Sequence, residues 1–138
     1  MAAAAALKAL KMIWTLPNSF IGGVLALVPL LAGGRARISE GAIEVTYRDS
    51  DAGCGRLARR LPFRAIVFGH VILAVTREEL ATISAHERVH VRQYELWGPL
   101  FLPAYAISGA RQWLNGRDAY YDNYFEVQAR RDSHANQP

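Results

Sequence analysis

The sequence predicts an α+β protein, in which an apolar N-terminal membrane helix precedes a small domain with a short antiparallel sheet and two or three further helices. Three observations predict this class. A long uncharged apolar stretch opens the chain, segments rich in β-branched and aromatic residues follow it, and helical segments with capping residues fill the C-terminal half. The length of 138 residues suits one domain of ordinary size.

Residues 1–34 form the apolar part, which contains two lysines and no other charged residue. Residues 12–32 carry no charge, and about 20 apolar residues are enough to span a bilayer core. We expect a membrane-anchoring segment that begins near Pro17, bends at Pro29 and ends near Gly33. A cleaved signal peptide and an amphipathic or buried soluble helix are the alternatives.

Residues 35–138 contain all 14 Arg and all 12 acidic residues, so they predict a normally charged domain. The Arg residues are interleaved with acidic ones, form no long run and match no recognisable nucleic-acid module, which argues against nucleic acid as a partner. The formal net charge of +4 suits a protein that lies against anionic lipid head groups instead. Cys54 is the one cysteine, so an intramolecular disulfide is excluded, and Cys54 alone does not predict a zinc site.

Two segments predict strands. Residues 42–48 alternate apolar and polar side chains, and residues 63–75 are rich in β-branched and aromatic side chains. Gly69 lies inside the second segment, which therefore forms one long strand or two short strands. Residues 49–62 contain Asp, Gly, Arg and Pro and predict a loop.

Three further segments predict helices. Thr76 caps a helix that runs to about Leu96, before a Gly-Pro pair, and Glu79 three residues later is expected to complete a capping box. Residues 99–114 are apolar but short for a membrane span, so we expect a buried helix or one that enters the membrane interface. Asp118 caps a last helix that ends near Arg131, and a frayed tail follows.

The sequence His86-Glu87-Arg88-Val89-His90 is an HExxH motif on the first of these helices. Histidines at i and i+4 face the same way on a helix, so both imidazoles can bind one Zn²⁺. Glu87 lies beside them as the general base for a zinc-activated water. The motif therefore predicts a zinc hydrolase site.

A catalytic zinc site needs a third protein ligand, and Glu126 is the best candidate. It precedes Ala129 by one turn on the last helix, where a small residue permits close approach to the HExxH helix. A third metal-ligating His at position 96 is absent, which excludes the metzincin pattern. Candidates for outer-shell or oxyanion-stabilising roles are His70, Tyr105, Tyr120, Asp122, Asn123 and Tyr124.

HExxH with a downstream Glu-x-x-Ala resembles the gluzincin metallopeptidases, in compact form the minigluzincins. Residues 65–132 also resemble a group of small bacterial HExxH proteins with one apolar N-terminal segment. The resemblance implies that His86 and His90 bind zinc with Glu126 while Glu87 acts as base. Membrane gluzincins often place an Asp directly after the Ala, where this chain has Arg130, so another residue must orient the ligands.

The resemblance implies a membrane-associated, zinc-dependent metallopeptidase that hydrolyses peptide bonds of a peptide or protein substrate. It also implies a zincin-like domain at residues 35–138 behind the anchor at residues 1–34. We expect the bacterial inner membrane, with the C-terminal domain in the cytoplasm because Arg residues follow the apolar stretch. The alternative is an inactive, membrane-anchored metal-binding or adaptor protein, whose site would be closed by a ligand such as His70 or Glu95.

Overall fold

The computed structural model describes residues 1–47 and 63–135. Within them it has four α-helices and a four-stranded sheet. The elements in chain order are α1 Ala2–Leu31, β1 Arg35–Ser39, β2 Ala42–Thr46, β3 Ala65–Phe68, β4 Val71–Ala74, α2 Arg77–Trp97, a 3₁₀ turn Gly98–Leu100, α3 Phe101–Leu114 and α4 Tyr124–Ala135.

The sheet has the strand order β1-β2-β4-β3. The pairs β1/β2 and β3/β4 are antiparallel hairpins, but the central pair β2/β4 is parallel. The expected antiparallel sheet is therefore wrong in its centre. A parallel pair requires a crossover connection, which local strand patterns do not reveal.

One face of the sheet packs against α2, with α3 and α4 behind it. Their shared core contains Ala42, Val67, Ile72, Ala74, Leu80, Val91, Tyr94, Phe101 and Phe125. Glu44 is also buried on this face, where Arg88 of α2 and Arg37 of β1 each contact its carboxylate at 2.6 Å. A buried carboxylate requires such partners, and this one fixes α2 on the sheet.

The other face of the sheet packs against α1. The buried residues of α1 recur every three or four positions, at Thr15, Asn18, Gly22, Ala26 and Pro29. Asn18 donates to the carbonyl of Gly98 at 2.8 Å. The rest of the helix surface is exposed and apolar, and α1 is long and apolar enough to span a membrane by length and composition. The sheet is thus the middle of three layers.

Several predicted boundaries differ from the structure. Helix α1 begins at Ala2, and Pro17 lies inside it instead of starting it. Strand β1 was not predicted. Helix α4 begins at Tyr124 and not directly after Asp118. Asp118 instead accepts hydrogen bonds from the backbone N–H groups of Tyr120 and Tyr121 in a turn. Predictions for Arg48, the 49–62 loop, Cys54 and residues 136–138 lie outside the described residues.

Other predictions are confirmed. Residues 63–75 form two short strands, and the Gly69 between them has φ +60°. Thr76 caps α2 by accepting from the Glu79 N–H at 3.1 Å. The Glu79 carboxylate contacts Arg64 at 3.3 Å, so it does not complete a capping box.

Gly22 allows α1 to approach the sheet. A Cβ at this position would lie 2.7 Å from the Cβ of Val71, whereas a Cβ on Gly23 would meet nothing within 4 Å. We expect Gly22→Ala to lower the free energy of unfolding by about 1–3 kcal/mol through overpacking. The matched variant Gly23→Ala should raise it by up to about 1 kcal/mol through helix propensity. Urea unfolding measures both, and equal effects would contradict the packing of α1 on the sheet.

Candidate metal centre

Three predicted ligands converge between α2 and α4. The Nε2 atoms of His86 and His90 lie 3.1 Å apart. The Glu126 carboxylate faces both rings, with Oε2 3.1 Å from His86 Nε2 and Oε1 3.4 Å from His90 Nε2. A ligand atom from each of the three lies within 4.8 Å of the others. The α2 helix supplies two ligands one turn apart, and α4 supplies the third.

The spacing of these atoms fits a zinc ion. Ligand atoms at about 2.0–2.1 Å from a tetrahedral zinc are separated by about 3.3–3.4 Å. His90 Nε2 and Glu126 Oε2 each lie 3.1 Å from His86 Nε2, close to that value, whereas the 3.4 Å contact of His90 is with the other carboxylate oxygen, Oε1. Taken as one ligand atom from each residue, the three atoms lie within 4.8 Å of one another. Two imidazoles and a carboxylate are a donor set that zinc accepts, with one tetrahedral position left for water or substrate.

Gln93 orients His90, a role that the sequence analysis had not assigned. The Gln93 amide nitrogen donates to the carbonyl of Phe125 at 3.0 Å and to Oε1 of Gln128 at 2.9 Å. Its oxygen therefore faces His90 and accepts from Nδ1–H at 2.8 Å. A proton on Nδ1 leaves the Nε2 lone pair free for a metal. The spacing HExxHxxQ was visible in the sequence, but it gave no indication that this amide also reaches α4.

Tyrosine hydroxyl groups surround the Glu126 carboxylate. Tyr105 donates to Oε1 at 2.7 Å, and burial with this contact raises the pKa of Tyr105 well above its ordinary value. Burial and the nearby Glu126 charge raise the pKa of Tyr120 to about 12. Both phenols therefore stay protonated at neutral pH and can donate.

Glu87 and the ligands have shifted pKa values. Burial raises the pKa of the Glu87 carboxyl, as a general base requires, although His90 and His86 act against this shift. Burial opposes the charged form of His90, but the neighbouring Glu126 and Glu87 carboxylates and the Gln93 hydrogen bond together outweigh burial and raise the pKa of His90. For Glu126 burial is outweighed by contacts with His86 and His90, which lower its pKa.

Asn123 is fully buried and holds two elements beside the site. Its amide donates to the Tyr105 carbonyl at 3.0 Å, and its oxygen accepts from the Phe125 N–H at 3.1 Å, at the start of α4. It therefore positions α3 and α4. Asp122 accepts from the Asp118 N–H at 2.9 Å in the preceding turn. The Tyr124 side chain is exposed, and its backbone N–H donates to Ser108.

His70 belongs to a different network. Its Nδ1 lies 2.9 Å from the Thr15 hydroxyl and its Nε2 lies 3.2 Å from the Glu95 carboxylate. Glu95 in turn contacts Lys11 at 2.9 Å. These groups connect α1 with α2 and with the β3/β4 turn. His70 and Glu95, the two candidates for closing the metal site, therefore form a hydrogen bond with each other.

Arg88, which lies within the motif, points away from the ligands. Its guanidinium donates to the Ser39 carbonyl and hydroxyl at 3.0 Å and contacts Glu44 at 2.6 Å. The positive charge inside the motif is thus neutralised on the sheet. His86 keeps 20% of its side chain exposed, against 4% for Glu126, so the site is accessible from the His86 side.

Comparison of the chain with protein-family models, with curated protein sequences and with solved structures finds no match. The geometry of the site is therefore what indicates a function for this chain.

Removal of the Gln93 amide tests its role in orienting His90. We expect Gln93→Leu to weaken zinc binding about 10–100-fold, since outer-shell partners of ligating histidines have effects of this size. Gln128→Leu is the matched control, because it removes a partner of Gln93 but leaves the His90 contact. Zinc affinity, measured by competition with a chelating dye, should change less than about threefold in the control. Equal affinities in wild type and Gln93→Leu would contradict the assignment.

The ligand cluster also predicts a pH dependence for the zinc-free protein. The lowered pKa of Glu126 stabilises the fold above about pH 4.5, and this contribution is lost as the pH falls. The raised pKa of His90 stabilises the fold below about pH 6.5, and this contribution is lost as the pH rises through the raised value. In the presence of a chelator, which keeps the protein zinc-free, the difference in unfolding free energy between wild type and Glu126→Gln should therefore be largest between about pH 4.5 and about pH 6.5. A difference that is constant from pH 4 to 8 would contradict the ion pairing.

Proposed function

We propose that this chain is a membrane-associated zinc metallopeptidase of the gluzincin type, which hydrolyses peptide bonds in a peptide or protein substrate at the bacterial inner membrane. The observation that carries the proposal is the convergence of His86 and His90 of α2 with Glu126 of α4, whose candidate ligand atoms lie within 4.8 Å of one another. The buried Glu87 beside them adds the catalytic group.

His86, His90 and Glu126 would hold the zinc ion. When bound, zinc supplies Lewis acidity, which polarises a substrate carbonyl and increases the acidity of a water molecule. Glu87 takes up the proton of the attacking water and delivers it to the leaving amine. Its burial favours this role, because the raised pKa brings proton uptake closer to neutral pH.

Protein donors must stabilise the developing oxyanion, and two tyrosines are close enough to the ligands to contribute. Tyr105 donates to Glu126 and keeps that carboxylate in place, which makes it a positioning residue. Tyr120 interacts with Glu126 as well, but about half of its side chain is exposed. Tyr120 is therefore the better placed of the two to turn towards a substrate oxygen.

Three features favour an enzyme over an inactive adaptor. The Arg88 charge is taken up by Glu44, and Gln93 fulfils the orienting role that the residue after Ala129 leaves open. His70 and Glu95, which could have closed the fourth metal position, are bonded to each other and to α1.

Metal content and peptide cleavage by matched variants test the proposal. We expect about one zinc per chain, and none in His86→Ala. Glu87→Gln should keep the zinc and lower the cleavage of a mixed peptide library by about 10²–10⁴-fold. The matched control is Glu78→Gln, an exposed Glu in the first turn of the same helix, which should keep full activity.

Other outcomes decide between the two functions. Zinc binding by the wild type with cleavage no faster than in Glu87→Gln would indicate the metal-binding adaptor instead of the enzyme. Unchanged zinc affinity in Glu126→Ala would remove Glu126 as the third ligand.

A further inference from the structure

The two faces of the sheet differ in polarity. Residues paired across neighbouring strands share a face, and successive residues alternate between faces. The register puts the charged side chains of β1 and β2, Arg35, Arg37 and Glu44, on the face that packs against α2. The face that packs against α1 carries apolar side chains only, and Ile38 and Ile43 remain exposed there at 80% and 43%.

The surface of α1 is divided in the same way. Its buried stripe, which includes Thr15 and Asn18, is small or polar and packs on the protein. At 100° per residue, a second stripe lies about 180° from the first. It consists of Ile13, Leu16, Phe20, Val24, Leu27 and Leu31, each at least 50% exposed. The outward surface of the α1 layer is therefore apolar over the whole length of the uncharged segment.

The docking of α1 is incompatible with a membrane span. Contacts to the domain extend from Lys11, which pairs with Glu95, to Ala26, which packs with Val45 and Val71, and Pro29 is buried as well. A helix from residue 11 to residue 31 is about 30 Å long, which equals the thickness of the hydrocarbon core. If α1 crossed the bilayer in this conformation, open sheet edges and the Lys11–Glu95 pair would lie in hydrocarbon. Unpaired backbone groups do not occur there.

We propose that α1 lies in the plane of the membrane surface, with its outward stripe and the adjacent apolar sheet residues in contact with lipid. The proposal rests on the membrane association proposed above and defines its geometry. Residues 1–34, which form this layer, carry Lys8 and Lys11 and no acidic residue, and this excess of positive charge suits an anionic bilayer.

Lipid fits this surface better than a second copy of the chain. Residues 1–34 contain no acidic residue. Pairing of two α1 helices would therefore offer no acidic partner to Lys8 or Lys11, and parallel pairing would bring Lys8 towards Lys8 of the other copy, which opposes association. An anionic bilayer supplies the opposite charge.

Labelling of single cysteines on sealed vesicles tests the orientation. The full-length protein with Cys54→Ser carries either Ala4→Cys in α1 or Arg117→Cys in the turn after α3. It is diluted from detergent into vesicles of phosphatidylcholine and phosphatidylglycerol. We expect a membrane-impermeant maleimide to label both positions to the same extent before and after vesicle lysis. If one of the two cysteines reacts with the maleimide only after lysis, α1 spans the bilayer. This result would overturn the in-plane proposal but would leave the membrane association intact.

Charge substitutions test whether the exposed stripe contacts lipid. Phe20→Glu should lower the fraction that floats with the vesicles about tenfold or more, because a charge replaces an apolar side chain at the lipid contact. Ala81→Glu, at an exposed position of α2 on the other side of the sheet, should float like wild type. Equal flotation of both variants would overturn the lipid contact.

Failure of the wild type to float would overturn the in-plane proposal and the membrane association together, and would leave the zinc and cleavage tests unaffected. A vesicle-free dimer that Phe20→Glu converts to a monomer, without flotation of the wild type, would identify a second copy as the occupant.

Discussion

The orientation of the candidate site depends on the buried carboxylate of Glu44. This group is 3% exposed on the sheet, so its charge needs partners, and Arg37 and Arg88 provide them. Arg88 lies two residues from each motif histidine, about 200° around the helix. When Arg88 faces the sheet, His86 and His90 must therefore face away from it. The ion pair thus fixes the rotation of α2, and with it the direction of the two candidate ligands His86 and His90.

The third ligand depends on how α4 packs against the face of α2 that this rotation exposes. Ala129 is fully buried one turn after Glu126, which allows close approach, and Gln93 bonds to the backbone of α4. Phe101 packs beneath the ligands, with its ring 6.5 Å from that of His90. Because Gln93 contacts both His90 and α4, a movement of α4 would displace two of the three ligands. The site is therefore a property of the α2/α4 packing more than of the motif alone.

The sequence predicted the parts of this protein that depend on local patterns. The motif spacing, the Thr76 cap and the Gly69 turn need only neighbouring residues, and Glu126 was found because a small residue follows it by one turn. Strand β1 was missed because two Arg residues, Arg35 and Arg37, made this segment look like a solvent-exposed loop. The role of Arg37 as a partner of the buried Glu44 becomes clear only when β1 is paired with β2. The parallel centre of the sheet and the shared bonds of Gln93 depend on residues 28 or more positions apart, which no local pattern encodes.

The three layers also connect the two proposals. Helix α1 and the ligand-bearing helices pack on opposite faces of the same sheet. If the α1 layer contacts lipid, then the layer of α2 and α4 faces water, and the exposed part of His86 opens away from the bilayer. A substrate would then reach zinc from the aqueous side, as a soluble peptide or as the extramembrane part of a membrane protein. Cleavage inside the bilayer would require α1 and the site to share one face, which this topology excludes.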